Sequence, residues 1–147
     1  MAVIKGGDKL SAKLRELSEK VRNPGTLQVG FLENATYPDG TSVAYVAAIQ
    51  EFGAPAAGIL PRPYFRTMVA EKSPTWGKAI GDLLVNNDYD ATRTLELTGQ
   101  GVKGQLQQSI VDFDSVPLAP ATVAAKGNDK QLVDTGHMLN SVDYRVK

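Results

Sequence analysis

The sequence predicts an α+β domain, with a small antiparallel sheet packed by helices that include one long helix in the C-terminal half. Three observations predict it. Two short β-prone segments with alternating apolar residues lie far apart in the chain, at 26–32 and 141–146. Between them, apolar residues recur at helical spacing, most continuously over 90–110. Proline, glycine and Asn/Asp clusters punctuate these runs, and none of the runs repeats another. With 147 residues, 42% hydrophobic and 22% charged, the composition is that of an ordinary globular chain, expected to fold as one domain over 1–147. A chain of this size normally buries about two-thirds of its unfolded surface, enough for a core without staples.

Segment 8–21 places Leu10, Leu14, Leu17 and Val21 on one stripe of a helix. Asn23-Pro24-Gly25 stops it, because a residue before proline avoids the helical region and glycine takes the turn. In the strand 26–32, Leu27, Val29 and Phe31 share one face. Tyr37-Pro38-Asp39-Gly40 is a turn. Ser42 then caps a short helix with Val43, Val46, Ala47 and Gln50 on one face, closed by Glu51-Phe52-Gly53 with the glycine at the C-cap. Residues 54–61 form a loop of small residues and prolines, expected to adapt to neighbours and to order in an assembly.

Arg62-Pro63 opens another short helix through Phe65, Met68 and Val69, with Pro63 in its first turn. Ser73-Pro74 is read as a second helix start, running through Trp76, Ile80, Leu83 and Leu84 to Asn86-Asn87-Asp88. A helix of about twenty residues, roughly 30 Å long, follows with Leu95, Val102, Leu106 and Ile110 on one face. Segment 111–116 is expected to be a strand, 117–127 a short helix ending at Lys126-Gly127, and 127–131 a mobile loop. Thr135 is expected to cap a short helix over 136–140, before the closing strand.

Composition excludes several chemistries. The absence of cysteine removes disulfides, thiolate metal sites and thiol nucleophiles, and a single histidine, His137, removes zinc sites that need two imidazoles. Sixteen basic residues balance sixteen acidic ones, unlike a dedicated nucleic-acid binder. The balance is uneven: 1–22 carries a surplus of three positive charges and 23–90 a deficit of three. A surplus of that size on one helix reads first as a solvated face. No stretch approaches the 18 or so apolar residues of a membrane span, and no signal peptide is recognisable, so folding in the cytoplasm is expected.

No motif is an enzyme's. Gly99-Gln100-Gly101-Val102-Lys103-Gly104 matches GxGxxG, but it follows a helical segment instead of a strand, and no acid lies about twenty residues on. Small residues where another element packs closely explain those glycines better, each costing a helix about 1 kcal/mol. Asp88-Tyr89-Asp90 and Asp112-Phe113-Asp114 are paired carboxylates at element boundaries, where Asp caps helices. His137 lacks a nucleophile elbow and reads as a surface residue. Arg62-Pro63-Tyr64-Phe65-Arg66 mixes basic and aromatic groups, best read as Phe65 on the apolar stripe with flanking arginines that snorkel. No catalytic residue, cofactor or metal is expected.

Two stretches carry a resemblance. The first is Val46-Ala47-Ala48-Ile49-Gln50-Glu51-Phe52-Gly53 followed by Leu60-Pro61-Arg62-Pro63-Tyr64-Phe65-Arg66. The second is Pro117-Leu118-Ala119-Pro120-Ala121-Thr122 with Lys126-Gly127, then Gln131-Leu132-Val133-Asp134-Thr135-Gly136-His137-Met138-Leu139-Asn140-Ser141-Val142. Together they resemble the tail-completion, or virion-morphogenesis, proteins of tailed bacteriophages, whose members show EFG…RPF, PL.P.T…KG and L.DTG.L..S blocks in this order. The likeness spans roughly 43–146. Tyr64 stands where Phe is commoner, His137 occupies a variable position, and the N-terminal helix is outside the likeness.

The resemblance implies a structural protein of the virion neck, not an enzyme, with Glu51, Phe52, Gly53, Arg62, Pro63, Phe65, Pro117, Leu118, Thr122, Leu132, Thr135, Gly136, Leu139 and Ser141 as its family residues. It implies a homo-oligomeric ring, hexameric by analogy, between the capsid connector or head-closure protein and the tail terminator or tail tube. Viral DNA would pass through without specific binding, and no membrane would be involved. Alternatives are a tail-terminator ring capping the tube and a prophage-encoded host-binding module. A ring needs two different patches of the chain to meet, and the opposite charges of 1–22 and 23–90 suit such a contact.

Overall fold

A computed structural model describes residues 5–114 and 136–147, together with Ala124. Helix α1 (Gly7–Val21) leads through Pro24 and Gly25 to strand β1 (Leu27–Phe31). Helices α2 (Val43–Phe52), α3 (Tyr64–Asn86) and α4 (Ala91–Asp112) follow, with a 3-10 turn at Pro55–Ala57. The short helix α5 (His137–Asn140) and strand β2 (Val142–Val146) close the chain. The expected α+β architecture is present: a two-stranded antiparallel sheet packed against helices, of which α4 is the long helix expected in the C-terminal half and α3 is of similar length.

β1 and β2 pair from Leu27↔Val146 to Phe31↔Val142. Because side chains alternate, Leu27, Val29 and Phe31 share a face with Val142, Tyr144 and Val146, while Gln28 opposes Arg145 on the other. There Arg145 Nε donates to Gln28 Oε1 at 2.7 Å and Nη1 to Glu33 Oε1 at 3.1 Å. Two strands alone are marginal in water. α4 supplies the missing support, packing along α3, both strands and α5.

The core gathers Val43 and Ala47 of α2, Tyr64 and Met68 of α3, Val102, Leu106 and Ile110 of α4, Met138 of α5 and Val142 of β2. Full burial of side chains the size of Leu106 and Ile110 contributes about 1.5–3 kcal/mol each. Local signals act as the sequence predicts. Ser42 Oγ accepts the Tyr45 amide at 3.3 Å and Asp90 Oδ1 accepts the Arg93 amide at 2.9 Å, each capping its helix. The Gly40 amide closes the 37–40 turn on the Tyr37 carbonyl at 2.9 Å. The loop at 54–61 is closed by paired Ala54 and Ile59 backbones, at 2.9 and 3.1 Å.

Three expectations are corrected. Ser73-Pro74 does not start a new helix, because α3 runs unbroken through Pro74. A proline inside a helix costs about 3 kcal/mol, and the long α3–α4 contact offsets it. Beside it, the Thr75 hydroxyl donates to the Lys72 carbonyl at 2.7 Å and Trp76 Nε1 to Gln105 Oε1 of α4 at 2.8 Å. The strand expected at 111–116 is not formed in its described part. Val111 and Asp112 are the last turn of α4, where the Gln108 amide holds the Asp112 carboxylate at 2.8 Å, and only the capping Phe113 is extended. At α5 the N-cap is Gly136, left-handed at φ 73° with no side-chain cap, so the helix begins at His137. Thr135 lies outside the described residues, as do Pro117, Leu118, Thr122, Leu132 and the segments 115–123 and 125–135 with their expected helix and loop.

The glycine-rich stretch of α4 lies wholly within the helix, as the close-packing reading requires, but only Gly99 is packed. A Cβ there would meet Leu27 Cδ1 at 2.8 Å and the Tyr144 ring, whereas Gly101 and Gly104 face open space. Gly99→Ala should therefore destabilise the fold by about 1–3 kcal/mol through overpacking. Gly101→Ala and Gly104→Ala should each stabilise it by up to about 1 kcal/mol through helix propensity. Denaturant titration separates the two classes, and equal effects at all three positions would contradict this account.

Candidate functional site

The residues that carry the resemblance in the first stretch meet in one junction. α3 begins after Pro63, which has no side-chain oxygen to cap it. Four amides of a helix start lack internal partners. Here Pro63 has no amide N–H, the Tyr64 amide bonds the Arg62 carbonyl at 2.8 Å, and the Thr67 amide makes the first regular helix bond, to the Pro63 carbonyl at 3.2 Å. The two between them are taken by one side chain from α2. Glu51 Oε2 accepts the Phe65 amide at 2.9 Å and Oε1 the Arg66 amide at 3.3 Å. The carboxylate is thus a helix cap supplied from another helix, placed at the positive end of the α3 dipole.

Glu51 is only 5% exposed, so its charge needs compensation. Arg66 Nε lies 3.3 Å from Oε1, and Arg66 Nη2 donates to the Glu51 carbonyl at 3.4 Å. The Arg66 guanidinium also sits 5.5 Å from the centroid of the Phe52 ring, in cation–π range. Gly53 turns the chain at φ 75°, and a Cβ on it would press on the Ile59 carbonyl oxygen at 2.7 Å. One turn later, Arg62 returns to α2, its amide on the Gln50 carbonyl at 2.7 Å and Nη1 on Gln50 Oε1 at 3.0 Å. Each residue of Glu51-Phe52-Gly53 therefore has a separate mechanical task in holding α2 to α3.

Tyr64, not Phe65, is the fully buried aromatic of this stretch, at 1% exposed. Its hydroxyl donates to the Ala47 carbonyl at 3.2 Å, and its main-chain carbonyl accepts Ser109 Oγ of α4 at 2.7 Å. Burial, and then the neighbouring Glu51 charge, push the phenol far above its ordinary pKa, so it stays neutral. Phe65 is half-buried, beside Gly30 of β1. Arg66 is solvent-facing and paired, as a snorkelling arginine would be, whereas Arg62 is half-buried.

The remaining residues of the resemblance that are described lie at α5. Gly136 starts it, Ser141 Oγ donates to the His137 carbonyl at 2.7 Å, and the Leu139 carbonyl accepts Gln107 Nε2 of α4 at 3.2 Å. His137 is half-buried, its Nε2 2.8 Å from the Thr36 carbonyl and its ring stacked on Tyr37 at 4.7 Å between centroids. That tie to the 37–40 turn is one the sequence does not reveal. Asp88 and Asp90 serve as an ion-pair partner of Lys20 and as a helix cap. Among the described residues no group of three or more His, Asp or Glu could hold a metal ion.

The second surface is α1. Residues 5–16 are wholly exposed, Leu10 and Leu14 are 61% and 57% exposed, and only Leu17 and Val21 are half-buried. The stripe read from sequence exists, yet no residue of the helix is buried. Its C-terminal end is held by Lys20, whose Nζ is 2.9 Å from Asp88 Oδ2 in the α3–α4 turn. The Lys20 hydrogen bond keeps the Asp88 carboxyl below its ordinary range, and Asp88 raises Lys20 in return. What the pair contributes is present above the ordinary carboxylate pKa and is lost as pH falls.

Compared with known protein families, curated proteins and solved structures, the chain gives no match. No described helix is long and apolar enough to cross a membrane.

The Glu51 clasp generates a prediction. Glu51→Ala should cost about 3 kcal/mol, since it orphans two amides and an arginine, and Arg66→Ala about 1 kcal/mol, since that side chain faces water. A double-mutant cycle by chemical denaturation should give a coupling of at least about 0.5 kcal/mol. Additive losses would show that the pair does not act as a unit.

Proposed function

We propose that this chain is a structural subunit of a bacteriophage neck ring, completing the tail and joining it to the capsid connector while DNA passes through. The observation that carries this reading is the clasp. The EFG and RPYFR blocks, which carry the resemblance to tail-completion proteins, are two halves of one contact, built on Glu51, Gly53 and the α3 N-terminus. A shared pattern whose residues interlock is better support for a family than shared residues scattered over a surface.

The exposed surface suits an assembly subunit. Phe52 at 66% and Leu60 at 60% exposed flank the clasp, and α1 offers Leu10 and Leu14 on a separate arm. Large apolar side chains grouped on a surface mark places that a partner covers. A net charge of zero fits a ring whose lumen must release DNA.

The test is a stop codon in the gene for this chain within a phage or prophage genome that encodes it, read by electron microscopy of the lysate. DNA-filled heads and separate tails of normal length are expected, with infectivity restored by adding the purified protein. Intact infectious particles would overturn the reading. Tails of abnormal length would move the chain to the tail-terminator position.

A further inference from the structure

We propose that α1 of one subunit docks its Leu10/Leu14 stripe into the apolar groove between α3, α4 and β1 of a second copy of this chain. The proposal rests on the ring reading above and names the contact that closes it. The groove is a cavity of about 280 Å³ lined by Leu27 and Val29 of β1, Phe65, Val69, Trp76 and Ile80 of α3, and the buried side of α4. Its wall carries almost no polar group. Trp76 has its indole N–H satisfied by Gln105, so an apolar occupant strands no donor there.

The occupant is argued from three observations. The groove and the helix are both apolar surfaces that no described residue covers, and they belong to one chain. Leu10 and Leu14 are four residues apart and stand on one side of the helix, so one apolar cavity can take both. Net charge then favours a body like that of this chain as the surface the arm meets. The segment 5–22 holds six basic and three acidic residues, so with a net charge of zero the remainder of the chain carries three surplus negative charges. Lys5, Lys9 and Arg15 have no acidic partner within their own subunit among the described residues. A basic arm meeting an acidic body is attracted to it at long range.

The arm does not use its own groove. Lys20 ties the end of α1 to Asp88 at the far end of α3, and from there residues 5–16 stand clear of the body. A helix donated by each subunit to the next is a heterologous contact, the kind that closes into a ring.

The chain has no cysteine, which makes a disulfide test clean. L14C and I80C variants, one of them carrying a size tag, are mixed and oxidised, alongside the L14C/I80C double variant. A disulfide between tagged and untagged chains is expected, with a ladder of covalent oligomers from the double variant on a non-reducing gel. In parallel, the L10E/L14E variant should associate at least tenfold more weakly by native mass spectrometry while melting near the wild-type temperature, because both side chains are largely exposed in their own subunit. A fast-migrating monomer from the double variant would place the helix in its own groove and overturn the proposal. Normal assembly of L10E/L14E with no cross-link would overturn it too and leave the ring reading standing. A wild type that stays monomeric at every concentration and yields no cross-link would overturn both this contact and a self-closing ring.

Discussion

One buried carboxylate sets the geometry of this protein. Glu51 caps α3 from the end of α2, so the direction of α3 is fixed by a residue outside it. Pro63 makes this necessary, since it opens α3 without a capping oxygen, and Arg66 makes it tolerable, since it balances the charge. Charge-assisted bonds of this kind are about twice as strong as neutral ones. Everything on α3 inherits the result: Tyr64 enters the core and reaches back to Ala47, Met68 follows one turn later, and Trp76 reaches α4.

α4 converts that junction into a fold. It lies against α3 on one side and both strands on another, and the sheet approaches it closely only because Gly99 has no side chain. Close-packed interiors leave no slack at such a point. The termini of the described chain are then held differently. β2 is locked in the sheet and covered by α4, whereas α1 hangs on Lys20 and carries its apolar stripe into water. A stripe of that kind is informative because an amphipathic helix ordinarily hides it.

The fold was legible wherever a residue acts on its chain neighbours. Ser42, Asp90, Gly53 and the 37–40 turn do what their types dictate, and alternation correctly marked both strands. Legibility failed where the decision is made by a distant element. Pro74 looks like a helix start, but α3 packs against α4 and continues through it. Val111 has β-prone chemistry, yet it continues a helix already stabilised by Leu106 and Ile110. Glu51 is visible in the sequence only as part of a pattern, while its task as a cap fourteen residues away is a tertiary fact. Tyr64 outranked Phe65 in burial because its hydroxyl finds the Ala47 carbonyl, a partner that periodicity does not show.

The Phe65 and Arg66 backbone amides report the Glu51 cap directly, because without it they would be open to water at a helix start. Native-state hydrogen exchange of these two amides is the most direct measurement. They should be protected to nearly the same degree as amides in the middle of α4, and that protection should vanish in Glu51→Ala. Exchange in the wild type as fast as that of Asp8 and Lys9, in the uncapped first turn of α1, would contradict the account.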